Sequence, residues 1–504
     1  MVSRPVRRLF TTRLGLILVL VATLTLTSIT TLHTPTRDKL VNSLSGWLVS
    51  EDLVDAPLPA AYNAYFPDGQ LPVPLRRRSL APLTERLSEF LHRPALSHED
   101  TVAANQAACP LSTLASMTSA EQLVGPRAIW KNIDAAEIAR RRAELVLFLA
   151  KHAGDGAKLL GTSINGPSKR GIVLTAGNGD TVLRVAMLLR HLRRIGSTLP
   201  VEVVHFADEL TDSKYRAELE SLGATLLMVH GVAKTPGMWK NYQIKAMAMI
   251  QTSFTEMIYL DSDNVPLRPM DHLFDAPVYA EGGRAAFWPD IKKDHSDNAI
   301  WRIVGETCTL KEWTFESGQI VFDKRGNGGA NLAALWIAAG MLDNHEFWFG
   351  MCGGDKDTYR WAMRILDLPY APAPRWVSAL GIANELDKNK FCGHTMLQHD
   401  LVPPFPPLFV HANLLKHLQG GLSRGRVFTH VKRMAQDGYD DQSLNNVFFY
   451  VYNGPGRGMC TDILYQAGDE VGQSVLVVPV SEVPEIEGFE DAWWDAGGRV
   501  GGWS

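Results

Sequence analysis

An α/β fold with a mostly parallel sheet flanked by helices is the architecture this sequence predicts, and three observations predict it. Between Gly171 and Leu260, short apolar, β-prone runs alternate four times with segments of helical periodicity, as in strands joined by crossover helices. The first of these runs ends in a glycine turn, Gly177–Asn178–Gly179. The last ends in two aspartates, Asp261 and Asp263, and ligands of such sheets gather at the carboxyl ends of the strands.

The elements follow in order. Asp134 with Glu137 opens "DAAEIARRRAELVLFLAKH" as a capping-box helix start. "GIVLTA", Gly171 to Ala176, is a strand, and Asp180 can cap the helix "TVLRVAMLLRHLRRIG" after the glycine turn. "VEVVHF" is the second strand, "SKYRAELESLG" a short amphipathic helix, "ATLLMVH" the third strand and "KNYQIKAMAMIQTSF" a helix. Met257 to Leu260 then reads as a buried strand, which Pro266 and Pro269 prevent from continuing.

Residues at i and i+2 of an extended chain point to one face, so Asp261 and Asp263 look into one crevice with Ser262 turned away. Two such anions need a cation, a shared proton or water between them. A calcium loop of the EF-hand type is excluded, because Pro266 and His272 stand where glycine and glutamate are required. Two readings stay open. One is the D-x-D-x-T/V phosphatase signature of haloacid dehalogenase type, matched by Asp261, Asp263 and Val265 but normally opening its domain; the other is the D-x-D of nucleotide-sugar transferases, which follows such βα units. The glycine turn lacks the full G-x-G-x-x-G pattern at Val182. It is either a tight βα turn or a close backbone approach to a nucleotide.

At 504 residues and 46% hydrophobic the chain buries one large core or two ordinary ones. A formal net charge of −4 and a pI near 6.4 leave no basic field for nucleic acid. Arg4, Arg7, Arg8 and Arg13 precede an uncharged run from Leu14 to Leu32, long enough to approach the ~30 Å of a hydrocarbon core. A positive flank ahead of the run keeps the N-terminus cytosolic and sends the rest across. With no A-x-A-like site close behind, an uncleaved anchor is expected over a cleaved signal peptide. The expected organisation is a cytosolic tail (1–13), a transmembrane signal anchor (14–32), a proline-rich stem (33–125), a catalytic domain (126–420) and a C-terminal extension packed on it (421–504). Five cysteines without C-x-x-C spacing argue against zinc and allow two disulfides and one free thiol, with the pairing open. No N-x-S/T sequon occurs.

Beyond the aspartates, "GIVLTAGNGDTVLRV", "LPVEVVHF", "KNYQIKAMAMIQTSFTEMIYLDSDNVPL", "ESGQIVFDK", "GGDKDTY" and "FCGHTMLQHD" resemble, in order and spacing, the Mnn-type fungal Golgi α-mannosyltransferases. These extend outer mannan chains from GDP-mannose. The resemblance spans roughly Gly171 to Leu415 and implies the GT-A fold, a GDP-mannose donor, a mannose-containing glycan acceptor and retention of configuration. It implies a type II protein of the Golgi membrane with its catalytic part lumenal. It also implies Mn²⁺ or Mg²⁺ held by the D-x-D, with Asp263 a direct ligand and Asp261 a ligand or ribose contact. Oxygen ligands suit either ion.

A third ligand is expected from a late histidine. His411 is the candidate, with His394, His399 and His417 in competition and a structural role as the plain alternative. Thr175, Gly177 and Asn178 are expected at the nucleotide, Lys245 at the diphosphate, and Gly318 with Gln319, at a loop-to-strand entry, near a bound sugar; Glu316 lies close to them. Asp355 and Asp357 are implied as catalytic groups facing the donor sugar, unless they only cap the helix "TYRWAMRIL". Trp493 and Trp494 offer sugar-stacking surface but fit core packing better.

Overall fold

The structure, a computed structural model, describes residues 81–501 except 111–129, 164–167, 178, 237, 239–240, 310–311, 384–390, 419–420, 435–443, 453–457 and 466–474. The expected tail and anchor, the first part of the expected stem, and Asn178 lie outside the described residues.

The expected βα alternation is present. β1 (Arg170–Thr175), α4 (Gly179–Arg194), β2 (Val201–His205), α5 (Ser213–Ser221), β3 (Ala224–Met228), α6 (Ile244–Gln251) and β4 (Glu256–Leu260) follow one another. They are preceded by α1 (Leu83–His92), α2 (His98–Ala108) and α3 (Ala135–Ser163). Asp134 starts α3 as the sequence suggests, its Oδ1 accepting from the Glu137 N–H at 2.8 Å.

A three-residue β5 (Asn264–Pro266), then β6 (Ala285–Pro289), β7 (Phe315–Asp323), α7 (Ala330–Asp343), α8 (Thr358–Ile365) and β8 (Ala371–Pro372) complete the first part. The first sheet runs β3-β2-β1-β4-β7-β6-β8. Its first four strands are parallel, β7 is antiparallel to both neighbours, and β8 returns parallel to β6. The sheet is therefore mixed, with one reversed strand inside an otherwise parallel array. Both faces are covered: Val173, Met257 and Tyr259 pack toward α3, α6, α7 and α8, while Ile172, Leu174, Ile258 and Leu260 pack toward α4 and the second sheet. Double coverage is why these strands read as nearly continuous apolar runs.

The second sheet, antiparallel, was not expected. It gathers β9 (Ser378–Ala383), β10 (Phe391–His399), β11 (Pro407–His411), β12 (His430–Met434), β13 (Leu444–Tyr452), β14 (Gly458–Tyr465) and β15 (Val475–Pro479), with β5 as a contribution from the first part. α9 (Phe489–Asp495) follows and buries Trp493 in the core, where the sequence favoured it.

Residues 83–109, which the sequence reading assigned to the stem, belong to the packed body. Leu87 and Phe90 of α1 enter the core, and Cys109 is bonded to Cys308. The apolar positions of α1 repeat at helical spacing, and the prolines ahead of it hid that pattern. The other disulfide is Cys392–Cys460, and Cys352 is a buried free thiol.

Candidate active site

Three pieces of backbone converge at the carboxyl end of β4. The first is the turn after the strand, which carries Asp261 and Asp263. The second is the antiparallel pairing of β5 with β11, in which Asn264 stands opposite His411 and the Ala412 N–H donates to the Asp263 carbonyl at 2.9 Å. That pairing delivers His411 to the aspartates. The third is a bulge in β7: Phe287 pairs with Ile320 and Trp288 with Glu316, so Ser317, Gly318 and Gln319 are lifted out of register. Gly318 and Gln319 thus sit inside a central strand, not at its entry. A Cβ at Gly318 would lie 2.4 Å from the His411 ring, so the imidazole occupies the space that a side chain needs.

Asp261, Asp263 and His411 each offer a ligand atom, and these atoms lie within 4.8 Å of one another. Two carboxylate oxygens and one imidazole nitrogen suit Mn²⁺, and oxygen-rich coordination also admits Mg²⁺. Two of the expected competitors turn elsewhere. His394 bonds Thr395 and the Val427 carbonyl, and His399 bonds Ser378 and the Phe405 carbonyl.

His411 is fixed from behind. Its Nδ1 bonds the buried Glu316 carboxylate, whose other oxygen accepts from Gln319 and Gln398 at 2.7 Å each. Its Nε2 is left facing Asp263 Oδ1 at 3.6 Å. A carboxylate on the far nitrogen of a liganding histidine sets ring orientation and tautomer. Burial opposes a charged imidazole, but Glu316 and Asp263 outweigh it and raise His411 to about 10. Burial likewise opposes an ionised Asp263, yet Lys416 at 2.5 Å and His411 hold it well below the usual carboxylate range.

Lys245, on α6, reaches Asp261 at 2.9 Å, Asp355 at 2.7 Å and the Ser317 hydroxyl at 3.2 Å. Burial would discharge it, but the two carboxylates keep it charged well above an ordinary lysine. The Tyr259 hydroxyl donates to Asp261 at 3.0 Å and itself lies 3.0 Å from Thr175 Oγ1. Thr175 therefore connects to the site through Tyr259. Gly177 is accounted for by a protein contact: a Cβ there would meet the Glu209 carboxylate at 1.7 Å.

The two aspartates of "GGDKDTY" part company. Gly353 and Gly354, at φ of 64° and 100°, make the sharp turn that only glycine takes easily. Asp355 then faces Lys245 and Ser317. Asp357 turns inward, accepting from the Phe315 N–H at 2.8 Å and forming an ion pair with Arg360 at 2.9 Å. Burial lifts its carboxyl to about 6 despite Arg360 and Lys356. Neither side chain caps α8.

Sequence reasoning left Lys416, Ser317, Tyr259 and Gln398 unassigned. A signal for Tyr259 existed, two positions before Asp261 on one strand face. Lys416 had none, since its place depends on the β5–β11 pairing.

Comparison with known proteins gives the class of its relatives first: they are glycosyltransferases. Residues 169–312 and 307–400 match the family model described as "Mannosyltransferase putative". The chain is 28% identical over 291 residues to the alpha-1,2-mannosyltransferase MNN22 of Candida albicans, covering 47% of each chain. It is 23% identical over 351 residues to the alpha-1,2-mannosyltransferase MNN2 of Saccharomyces cerevisiae, covering 60% of this chain and 58% of that one. The matched stretch, residues 169–400, is just under half of the chain, and within it the chain is similar to fungal Mnn-type mannosyltransferases. It spans about half the length of the curated relatives it matches. Among solved structures, core-mannan synthase A of Aspergillus fumigatus in its Mn/GDP form overlaps 42% of this chain and 74% of its own at 10% identity and a TM-score of 0.26.

Proposed function

We propose that this chain transfers mannose, with retention, from GDP-mannose to a mannose-containing glycan on a GT-A core, using Mn²⁺ or Mg²⁺ at Asp261, Asp263 and His411. The observation that carries the proposal is the convergence of those three side chains within 4.8 Å at the end of β4, the two aspartates lying in the stretch matched by a mannosyltransferase family and His411 beyond it. A divalent cation bound there neutralises the diphosphate that leaves as the sugar C1–O bond breaks. Lys245 adds a fixed positive charge beside Asp261. Asp355 lies on the other side of that ammonium and stabilises positive charge developing at C1. With retention on the sugar's front face, the leaving phosphate takes the acceptor hydroxyl's proton, and no protein base is required.

The family match turns the reading away from the phosphatase alternative. The two disulfides suit an oxidising lumen, which supports the Golgi part of the proposal. Incubation of the purified chain with a panel of nucleotide sugars and Mn²⁺ tests it: GDP release from GDP-mannose, with an α-linked product by proton NMR, is the expected result. A β-mannoside as the first-formed product would refute retention. Asp263→Ala should remove most turnover and, because it strips Lys416 and His411 of a shared carboxylate, lower the melting temperature, so turnover is compared at a temperature at which both chains are folded. Near-normal Mn²⁺-dependent turnover in that variant would exclude Asp263 as a ligand.

A further inference from the structure

The second sheet has two faces, and only one of them belongs to the proposed metal site. Met396, Gln398 and His411 share the face turned toward Glu316, so the alternation of side chains puts Leu397 and His399 on the other. A cavity of about 290 Å³ lies on that other face, bounded by the turns between β15 and α9. Leu397 and His399 of β10 and Val431 and Arg433 of β12 line it, with Pro406 and Pro407 as a wall. His411 stands four residues along β11 from Pro407, about 13 Å at ~3.3 Å per residue. The cavity is thus separate from the proposed site of transfer.

Four charged side chains face this space. Arg375 is buried and Arg433 half-buried, while Glu482 and Glu485 are exposed. Arg433, Glu482 and Glu485 form no ion pair among the described residues, and the Nε of Arg433 is buried without a hydrogen-bond partner there. Burial and the neighbouring Arg375 hold His399 well below the usual histidine range, so its ring is neutral and the two positive and two negative charges balance. An anion would be drawn to the arginines and opposed by the glutamates. A neutral ligand with adjacent hydroxyls suits both, because a hydroxyl accepts from a guanidinium N–H and donates to a carboxylate oxygen. The proline, leucine and valine surfaces take its C–H face. The volume falls at the small end of ligand pockets, which run from ~300 Å³ upward, and has room for a sugar ring.

We propose that this cavity is a second saccharide-binding site, which holds a sugar residue of the acceptor glycan away from the site of transfer. The inference rests on the acceptor reading above and gives a binding role to chain beyond residue 400, where the family match ends. A glycan held at a second place meets the site of transfer at a raised effective concentration.

Titration of the full-length chain with α-linked mannotriose, without metal or nucleotide and followed by saturation-transfer NMR, tests it. Arg433→Met should raise the Kd about tenfold, the usual scale for one charge-assisted hydrogen bond. Glu485→Ala, at an exposed position that leaves the core untouched, should raise it as well, and both variants should melt at the wild-type temperature. A Kd within about twofold of wild type in both variants overturns the inference, and so does displacement of mannotriose by an equal concentration of inorganic phosphate, which would mark an anion site. Failure of the unmutated chain to bind mannotriose while it still releases GDP from GDP-mannose overturns the inference alone. Binding that both variants weaken, in a chain that releases no GDP from GDP-mannose, would sink the transferase reading and leave the saccharide site standing.

Discussion

At the scale of single residues, Glu316 carries the least obvious role. It touches no proposed substrate, yet every hydrogen bond it makes converges on holding His411: one oxygen on Nδ1, the other on two glutamine amides. Replacing it with Gln keeps the shape but removes the charge that orients and polarises the ring. Losses of this kind typically weaken metal binding ~10–100-fold, so Glu316→Gln should raise the Mn²⁺ Kd by that factor when free Mn²⁺ is followed by electron paramagnetic resonance. An unchanged Kd would mean that Glu316 merely fills the core. The same pair predicts a pH dependence in the absence of metal. His411 is raised from 6.5 to about 10, so its charged form contributes stability that is fully present below pH ~6.5 and fades as pH rises through about 10. The urea midpoint of His411→Gln should fall furthest below wild type near pH 6, and the gap should close toward pH 10.

At the scale of elements, the loop between Gly353 and α8 divides two aspartates that the sequence presents as equals. Asp355→Asn should slow turnover by ~10²–10³ through lost charge stabilisation with a smaller loss of stability than at Asp357, because Lys245 keeps Asp261 as a partner. Asp357→Ala instead strips a carboxylate from the fully buried Arg360, and breaking a buried pair costs roughly 3–5 kcal/mol. The expected outcome is loss of stability first, with activity falling only as the fold does. Differential scanning calorimetry beside initial rates separates the two, and equal behaviour would erase the distinction. The sequence could not draw it, since D-x-D spacing places both side chains on one face only in an extended chain, and here the chain turns into a helix. The βα half was legible because each unit is local: apolar run, turn, amphipathic helix. The second sheet was not, because β5 pairs with β11 across a long stretch of intervening chain. His411 was reached by family resemblance, Lys416 by nothing before the fold was seen.

At the scale of the whole molecule, the two disulfides and the packing of α1 and α2 bear on how the chain is carried. Cys109–Cys308 ties the end of α2 to the region before β7, so the packed body includes α1 and α2, and the arginine-flanked run 14–32 precedes it in the sequence. Among the described residues no helix is long and apolar enough to cross a membrane, and the proposed anchor is the uncharged run 14–32. If the run stays in the bilayer with its arginines cytosolic, the catalytic body lies in the compartment where its disulfides form. In sealed microsomes the bulk of the chain should then resist added protease until detergent is present, and it should stay in the membrane pellet after carbonate washing. A protected but soluble and shortened species would identify the run as a cleaved signal peptide. Digestion without detergent would put the body on the cytosolic side, where neither disulfide is expected to persist, and would remove the lumenal part of the proposal while leaving the site chemistry to be judged on GDP release alone.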